Sequence, residues 1–342
     1  MPNDVLTAAI DALASRRDLS QEQSGAVLAE VMAGNATETQ IAAFLIALRT
    51  KGETVEEIAG LAQTMRALAT PVPTRRDDLL DTAGTGGGRH TFNVSTTAAL
   101  VAAGAGCAVA KHGNRSATRA SGSADVLEAL GARIDLKPDA VGRCIDELGF
   151  GFMFAPAHHV ATRWVIPARK ELAVRTIFNF LGPLTNPAGA RRQVIGVSEA
   201  SYIEVLAGAL ARLGCDRALV VSSADGLDEM STSAPTHVVE VNGDDLVRYD
   251  VTAADVGLAE AAPEAISGGD PAANAATTRA IFDGREGPDA DLVALNAGAA
   301  IYAAGMADDL RGGVEAARES VASGAAARTL EQYVRLSGEL AA

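Results

Sequence analysis

From Leu79 to Gly113 the chain reads LLDTAGTGGGRHTFNVSTTAALVAAGAGCAVAKHG, and this stretch decides the fold. A short apolar run, LLDTA, leads into a glycine-rich turn. The alanine-rich segment STTAALVAAGAG has the length and composition of a helix, and CAVA is a second short apolar run. A strand, a helix and another strand in this order predict two parallel strands joined by a helix.

The same alternation continues toward the carboxyl terminus. SADVLEALGA, FGFMFAP, QVIGV, SYIEVLAGALARLG and RALVVSS follow as helical and apolar segments in turn, and the stretch from Ala272 is helical and rich in alanine. Residues 77–342 are therefore expected to form a large α/β domain, with a mostly parallel central sheet flanked by helices.

Residues 1–72 predict a small helical domain. Three capping boxes begin its helices, at Ser20-x-x-Gln23, Thr37-x-x-Gln40 and Thr54-x-x-Glu57, and apolar residues follow each at helical spacing. Proline residues at 71 and 73 end the pattern, so residues 69–76 are a linker. Part of the basic, helical segment 156–190 is expected to return and join this domain.

Composition excludes several classes of protein. The 342 residues are 48% hydrophobic and carry a net charge of −14, which argues against disorder and against binding to nucleic acid or an anionic membrane. No run of 18 apolar residues appears, and the amino-terminal residues lack the apolar core of a signal peptide. The cysteines Cys107, Cys144 and Cys215 form no paired motif, so we expect a cytoplasmic protein with buried thiols.

The glycine-rich turn between Asp81 and Thr96 has the chemistry of an anion site. Glycines allow the backbone to approach a bulky anion with its amides turned inward, and the following helix adds positive charge at its start. Its spacing matches neither a Walker A loop nor a dinucleotide fingerprint. By itself the turn is also compatible with an ordinary strand-to-helix connection.

A second loop, from Lys111 to Ser123, places three permanent cations and several hydroxyls around two glycines. Such a loop repels itself unless an anion lies there, although a solvated basic loop is the simpler alternative. A third motif, DGLDE at 225–229, follows the apolar strand RALVVSS and is expected to open into a surface cleft. Its adjacent carboxylates suit Mg²⁺, and an exposed acidic turn is the alternative.

The three motifs together predict one site. They offer a cradle for a polyphosphate, oxygen ligands for its magnesium and cations for the remaining charge. Since ligands of open parallel sheets bind at the carboxyl ends of strands, we expect all three motifs to meet there.

Seven sequence blocks resemble the anthranilate phosphoribosyltransferase family. They are GTGG at 84–87, TFNVST at 91–96, KHGNRS at 111–116, SGSADVLEALG at 121–131, RTIFN at 175–179, LGPLTNP at 181–187 and DGLDE at 225–229. The resemblance covers the chain from its first helices to its carboxyl terminus. It implies a fold similar to the pyrimidine nucleoside phosphorylases, and a homodimer joined through the helical domains. It also implies transfer of a phosphoribosyl group from phosphoribosyl diphosphate (PRPP) to anthranilate in tryptophan biosynthesis. The implied cofactor is Mg²⁺, as two ions.

The resemblance also implies roles for particular residues. Those expected to bind PRPP are Gly84, Gly87, Gly88, Thr91, Asn93, Val94, Ser95, Thr96, Lys111, His112, Gly113, Asn114, Arg115, Ser116, Ala117, Thr118, Arg119 and Ser123. Those expected to bind magnesium are Ser95, Asp228 and Glu229. Asn114 and Arg169 are expected to contact anthranilate, Arg169 through the carboxylate, and Lys111, Asn114 and Arg169 are the candidate catalytic residues.

The chain departs from the family pattern in two regions. The glycine loop is one residue shorter, and Gly88 or Arg89 stands where an acid is usual. We expect Arg89 to supply part of the charge of a second magnesium ion, the alternative being that Arg89 and His90 face solvent. On the acceptor side, the departures are Val160, Thr162, Trp164, Ala173 and the pair Ser233-Ala234.

The expected reaction displaces pyrophosphate from C1 of PRPP by an aromatic amine. Because the amine is neutral at pH 7, no strong general base is needed, and alignment of two substrates is the main task. Two other functions remain open at this point. One is a nucleoside phosphorylase of the same fold, and the other is a non-catalytic nucleic-acid binder, which would need a basic face and no magnesium ligands.

Overall fold

The computed structural model describes residues 2–116 and 120–341, and its centre is a seven-stranded sheet. The strands are β1 (Leu79–Gly84), β2 (Ala108–Gly113), β3 (Phe150–Phe154), β4 (Arg192–Gly196), β5 (Arg217–Ser223), β6 (Thr236–Asn242) and β7 (Asp245–Val251). They lie in the order β3-β2-β1-β4-β5-β6-β7. Strands β1 to β5 are parallel, and β6 and β7 run antiparallel. The predicted architecture, a small helical domain before a large α/β domain, is confirmed.

The chain reverses its path across the sheet beside β1. It runs from β1 through β2 to β3, and then returns to the other side of β1 as β4. Gly84 at the end of β1 pairs with Gly196 at the end of β4. Because ligands bind in the crevice outside such a reversal, the topology points to the carboxyl ends of these two strands.

Alternate residues of β5 reach two separate hydrophobic cores. Leu219 and Val221 belong to one core, and Ala218 and Val220 belong to the other. The helices of the first core are α5 (Val94–Gly104), α6 (Ser123–Ala129), α7 (Pro138–Leu148), α12 (Pro271–Phe282), α13 (Pro288–Ala303), α14 (Leu310–Ala322) and α15 (Ala325–Ala341). Helix α11 (Ile203–Arg212) packs on the opposite face of the sheet.

The amino-terminal helices are α1 (Asp4–Ala14), α2 (Gln21–Met32), α3 (Glu38–Lys51) and α4 (Val55–Leu68). Two of the predicted capping boxes are confirmed: Ser20 with Gln23 begins α2, and Thr54 with Glu57 begins α4. In each, a hydroxyl satisfies an unpaired amide and the side chain three residues later binds back to the cap. These local hydrogen bonds explain why the helices begin where they do.

The third predicted box is only half formed. The Thr37 hydroxyl accepts a hydrogen bond from the Gln40 amide at 3.2 Å. The Gln40 side chain instead bonds the backbone of Asn3 at 3.0 Å through both its oxygen and its nitrogen. A tertiary partner, which no local pattern reveals, has taken the place of the predicted reciprocal bond.

The segment between β3 and β4 packs against the amino-terminal helices. It contains α8 (Ala155–His158), a 3₁₀ turn at Val160–Trp164, α9 (Ile166–Leu172) and α10 (Phe178–Leu181). Val165 and Ala168 enter the same core as Phe44 and Leu48 of α3. This core continues onto one face of the sheet, so the helical domain is packed firmly against the α/β domain.

Few large apolar side chains of the helical domain are left exposed. Leu45 and Leu48 of α3 are buried within the chain, and Ile46 is half-buried. Among the described residues of the amino-terminal helices and the returning segment, the exposed large apolar side chains are Val5, Leu68, Val160, Trp164, Ile166 and Val174.

The hairpin formed by β6 and β7 was not anticipated from the sequence. Its turn is Gly243-Asp244, between the paired residues Asn242 and Asp245, with Gly243 at a φ of 59°. A Gly-Asp pair between apolar, β-branched runs is a hairpin signal, so the pattern was available. Within the described residues, no helix is long and apolar enough to cross a membrane.

Candidate active site

The glycine loop (residues 84–91) and the acidic turn (residues 225–229) meet at the carboxyl ends of β1 and β4. A Cβ placed on Gly84 would lie 3.2 Å from Asp228 Oδ2, and one placed on Gly88 would lie 2.6 Å from Asp228 Oδ1. The absence of side chains at these two positions therefore makes room for the carboxylate. Two motifs about 140 residues apart in the sequence are brought together as predicted.

Asp228 is not in an open surface cleft, which corrects the expectation from sequence. Its exposure is only 5%, because the backbone of the acidic turn packs directly on Gly196. A Cβ on Gly196 would clash with the Asp228 carbonyl. The carboxylate of Asp228 is therefore held in place by the packing of the turn.

Glu229 lies against the start of helix α5. Its Oε1 accepts a hydrogen bond from the Ser95 amide at 3.1 Å, and its Oε2 lies 3.5 Å from the Thr91 hydroxyl. The carboxylate thus lies where the helix dipole favours negative charge. A cavity of about 20 Å³, roughly one water molecule in size, is lined by Thr82, Ser95, Asp228, Glu229 and Asn296.

The rest of the cavity lining is nonpolar, and the Asn296 amide is already bonded to Met230 and Leu292. The groups that fit magnesium are the carboxylates of Asp228 and Glu229 and the hydroxyl of Ser95, which present the hard oxygen ligands that Mg²⁺ prefers. In the described ranges, no three His, Cys, Asp or Glu side chains gather into a metal cage. A site with two carboxylates and open positions is typical of magnesium that is completed by substrate phosphates and water.

Lys111 lies beneath the site and is almost completely buried. It is 1% exposed, and its Nζ donates to the Thr82 carbonyl at 2.5 Å and to the Thr82 hydroxyl at 3.1 Å. Burial lowers the pKa of Lys111 to about 8, against the opposing charges of Asp81 and Glu229. Lys111 is therefore a fixed charge behind the end of β2, whereas the sequence suggested a cation on an open loop.

The second loop is partly self-neutralised. Arg115 pairs with Asp125 at 2.7 Å and with Glu128 at 2.6 Å, both from helix α6. The charge of Arg115 is therefore balanced by local carboxylates, so this residue by itself does not require an external anion. Asn114 and Ser123 hold the loop closed, since the Ser123 hydroxyl contacts both the amide and the carbonyl of Asn114 at 3.2 Å.

Other predicted residues of this loop have different surroundings. The amide of Ser116 donates to Asp125 at 3.3 Å. Gly113 has no room for a side chain, because a Cβ there would clash with the Ser123 hydroxyl. Three predicted residues, Ala117, Thr118 and Arg119, lie outside the described residues.

Asn93 joins three segments at the entrance of α5. Its amide donates to the Ser121 carbonyl at 3.2 Å, and its Oδ1 accepts from the Ser121 hydroxyl at 2.8 Å and from Asn274 at 2.9 Å. Val94 and Thr96 are buried behind it, and the Thr96 hydroxyl has no hydrogen-bond partner among the described residues. Asn274 was not recognised from the sequence, since it lies in an otherwise ordinary alanine-rich helix.

Arg89 does not face solvent, because its Nη2 lies 3.0 Å from Asp225 Oδ2, whereas His90 is exposed. Arg89 Nη1 donates to the Pro263 carbonyl at 2.7 Å. The guanidinium thus pairs with the carboxylate of Asp225, the first residue of the acidic turn.

Arg169 is a cation without an ion-pair partner among the described residues. It lies over the Phe178 ring at 5.5 Å, and burial lowers the pKa of its guanidinium. Glu171, two residues later on the same helix, forms no ion pair with it. A half-buried guanidinium beside an aromatic ring can bind a planar carboxylate through two hydrogen bonds.

Three histidines lie between the two domains. Two of them face a backbone carbonyl through Nδ1 at 3.1 Å: His112 faces Gly182, and His158 faces Thr70. The His112 and His159 rings are 5.1 Å apart, and burial lowers their pKa to about 3 and about 4. His112 is thus a neutral ring, and sequence reasoning gave no role to His158 or His159.

The departures from the family pattern on the acceptor side have different surroundings, and the amide of Ala173 donates to the Arg169 carbonyl at 3.1 Å. Trp164 is 42% exposed and covers Gly34, where a Cβ would lie 2.8 Å from the indole ring. Val160 is exposed, and the Thr162 hydroxyl donates to the His159 carbonyl at 2.7 Å. Ala173 takes a left-handed conformation with a φ of 51°, which explains why a glycine is usual there.

Comparison with known proteins agrees with this geometry. Residues 7–69 match the profile described as "Glycosyl transferase family, helical bundle domain", and residues 76–327 match "Glycosyl transferase family, a/b domain". An anthranilate phosphoribosyltransferase from Symbiobacterium thermophilum is 51% identical over 338 residues, which are 98% of this chain and 99% of that protein.

Solved structures are similar over the same length. The anthranilate phosphoribosyltransferase of Thermus thermophilus superposes with a TM-score of 0.92 at 47% identity, covering 96% of this chain and 99% of that one. The Saccharomyces cerevisiae enzyme in complex with PRPP and Mg has a TM-score of 0.90 at 27% identity, with 98% of each chain covered. The yeast enzyme is also known in complex with 4-fluoroanthranilate, at a TM-score of 0.87, 26% identity and the same coverage.

Proposed function

The chain belongs to the anthranilate phosphoribosyltransferase family, and we propose that it transfers the phosphoribosyl group of PRPP to anthranilate in tryptophan biosynthesis. The products are N-(5-phosphoribosyl)anthranilate and pyrophosphate. The observation that carries the proposal is the meeting of the glycine loop, the start of α5 and the acidic turn at the β1–β4 reversal. This arrangement offers amides, a helix terminus and magnesium ligands to one diphosphate.

PRPP would lie along the glycine loop and the start of α5. Its proposed contacts are Gly84, Gly87, Gly88, Thr91, Asn93, Val94, Ser95, Thr96, the residues from Lys111 to Arg119 and Ser123. Lys111 would act through its field from behind the strand, since two hydrogen bonds tie its Nζ to Thr82. This charge opposes the negative charge that develops on the leaving diphosphate.

Magnesium would be held by Ser95, Asp228 and Glu229, and we propose two ions. When bound, it would neutralise the charge that accumulates on the leaving diphosphate. Glu229 is already oriented by the Ser95 amide, and Asp228 is held by the close packing of the acidic turn on Gly196. The carboxylates therefore need little rearrangement to receive a cation.

Anthranilate would be bound by Arg169 through its carboxylate and by Asn114. The amine nitrogen forms a bond to C1 while the bond from C1 to the diphosphate oxygen breaks, and the amine releases a proton. Because the amine is neutral at pH 7, the protein mainly aligns the two substrates and excludes water.

Two other functions are less well supported. A nucleoside phosphorylase would have no need for the carboxylate-reading arginine that Arg169 offers. A nucleic-acid binder would have a basic surface, whereas this chain has a net charge of −14 and retains Asp228 and Glu229.

We also propose that the chain has two domains: a helical domain of residues 1–72 with part of 156–190, and an α/β domain of residues 77–342. We further propose that it forms a homodimer through the helical domain. The exposed side chains of Val160, Trp164, Ile166 and Val174 support an interface there. A cytoplasmic location is supported by three buried thiols, whose pKa burial raises to about 12.

The test is the loss of anthranilate fluorescence when the purified protein meets PRPP and Mg²⁺. We expect turnover that needs all three components and that chelation of magnesium stops. Other aminobenzoates, added as competitors, measure the acceptor selectivity. No loss of fluorescence at saturating substrates, together with phosphate-dependent cleavage of a nucleoside, would replace this proposal by the phosphorylase.

A further inference from the structure

The carbonyl of Gly86, at the tip of the glycine loop, is held from outside the site. Arg175 Nη1 donates to it at 2.8 Å, and the Ser198 hydroxyl donates to it at 2.9 Å. Arg175 Nη2 also lies 3.4 Å from the Thr85 carbonyl. Two side chains from distant parts of the chain therefore converge on one peptide group.

Because of the geometry of the peptide bond, this contact also fixes the direction of the Gly87 amide. No peptide bond among the described residues is cis, so the Gly86 carbonyl and the Gly87 amide point in opposite directions. Holding the carbonyl toward Arg175 thus turns the Gly87 amide the other way. In the reverse orientation, the carbonyl oxygen would face a bound anion and repel it.

The glycines at these positions are required by the same arrangement. Gly86 and Gly87 have φ values of 65° and 91°, in the left-handed region that favours glycine. A Cβ on Gly87 would clash with Arg175 Nη1, so the guanidinium fills the space that a side chain would occupy. The loop conformation and the position of Arg175 depend on each other.

Arg175 is itself well anchored and electrically balanced. Its Nε lies 3.1 Å from Glu199 Oε1, and its guanidinium lies 5.4 Å from the Phe180 ring. Its carbonyl accepts a hydrogen bond from Arg49 of helix α3 at 2.8 Å. A guanidinium already paired with a carboxylate is poorly suited to bind phosphate directly, so its chemistry here is to hold the loop.

We propose that Arg175, assisted by Ser198, is a positioning residue that keeps the Gly86–Gly87 peptide oriented for phosphate binding. The proposal rests on the proposed function, because the anion is taken to be the diphosphate of PRPP. It predicts an effect on PRPP affinity that is separate from the effect on anthranilate. It also predicts that the Glu199 ion pair is dispensable for this effect.

The experiment measures PRPP binding by calorimetry, with Mg²⁺ and without anthranilate, for four proteins. Arg175→Gln should weaken PRPP binding by about tenfold or more, the loss expected for a hydrogen bond with a charged donor. Ser198→Ala should weaken it by about threefold, as a neutral hydrogen bond does. The matched control, Glu199→Gln, removes the ion pair but keeps both bonds to Gly86, and should stay within about twofold of the wild type.

Steady-state kinetics and thermal unfolding complete the test. The Arg175→Gln and Ser198→Ala variants should raise the PRPP KM while the anthranilate KM changes little. Equal rises in both KM values, or PRPP affinities that follow the melting temperatures of all four proteins, would overturn the inference in favour of a general structural role. If Arg175→Gln does not fold, unchanged PRPP binding by Ser198→Ala overturns it. A wild type that fails to bind PRPP would instead overturn the proposed function, and this inference with it.

Discussion

Arg89 and Asp225 form an ion pair of 3.0 Å that ties the glycine loop to the acidic turn. The Arg89 amide adds a hydrogen bond of 2.8 Å to the Gly226 carbonyl. Asp225 also accepts from the Ser231 hydroxyl at 2.9 Å. The departure from the family pattern in this loop thus organises the turn that carries the magnesium ligands.

We expect Arg89→Gln to loosen the acidic turn and so weaken magnesium binding. The magnesium concentration that gives half the maximal rate should rise about threefold to tenfold, as expected when a partly exposed, charge-assisted contact is lost. The rate at saturating magnesium should change less. Magnesium titrations of the rate at fixed PRPP measure this. Arg133→Gln is the control, since Arg133 pairs with Asp135 at 2.6 Å on an exposed surface. In the double variant, Asp225→Asn should weaken magnesium binding little beyond the effect of Arg89→Gln alone. Fully additive effects of the two changes would show that the residues do not act as a pair.

The double variant Asp228→Asn and Glu229→Gln should lose magnesium-dependent turnover and keep its fold. Both changes preserve shape and remove negative charge, so the loss of the electrostatic attraction for Mg²⁺ is the main effect. Because both replacements keep the shape of the original side chain, the packing of the turn should be retained and the melting temperature should change little. Magnesium binding by calorimetry in the presence of PRPP, with thermal unfolding, measures both. Retention of normal turnover at limiting magnesium would show that the metal is bound elsewhere.

Arg169→Ala should raise the anthranilate KM by about tenfold to a hundredfold, the cost of losing a bidentate, charge-assisted contact. The PRPP KM should remain within about threefold, because the contacts of Arg169 are confined to the acceptor side. Glu171→Gln is a matched control on the same helix, and it should have little effect because no Arg169–Glu171 ion pair exists among the described residues. Parallel rises in both KM values would indicate a structural role for Arg169.

The kcat/KM for PRPP should fall as pH rises through about 8, where Lys111 loses its proton. The folded pKa lies below the unfolded value of about 10.4, so the unfolded chain binds the proton more tightly between these values. The destabilisation by buried, charged Lys111 is therefore complete below about pH 8 and disappears as pH rises to about 10.4. Lys111→Met should abolish the fall in kcat/KM.

Lys51→Met is a control, because the charged form of Lys51 has the opposite effect on stability to that of Lys111. Hydrogen bonds to Asp18 and Glu57 raise the pKa of Lys51, so its charged form stabilises the fold and its removal should lower the melting temperature at pH 7. An unchanged pH profile in Lys111→Met would contradict the role of Lys111.

Light scattering at micromolar concentration should give twice the chain mass of 34.9 kDa. Trp164→Ala, which removes the largest exposed apolar side chain of the returning segment, should favour the monomer. Val247→Ala is the control, since Val247 is also exposed but lies on β7, far along the sheet. A monomer for the wild type would rule out the dimer, and a dimer unaffected by Trp164→Ala would place the interface elsewhere.

Local sequence determined the elements and the order in which they occur. Capping residues such as Ser20 and Thr54 begin helices by bonds that span three residues, and short apolar runs define the parallel strands. The glycines of residues 84–88 and the carboxylates of 225–229 also indicated the chemistry, because anion cradles and magnesium sites need those groups in any fold.

Only the tertiary structure decided which charges face each other. Arg89 pairs with Asp225, Arg115 with Asp125 and Glu128, and Arg175 holds the Gly86 carbonyl, each across a separation that no local pattern encodes. The burial of Lys111 and Asp228 likewise follows from how strands and turns stack. The sequence states which side chains can carry a charge. The partner and the solvation of each charge depend on the elements that fold around it, and the partner and the solvation together set its pKa and its role.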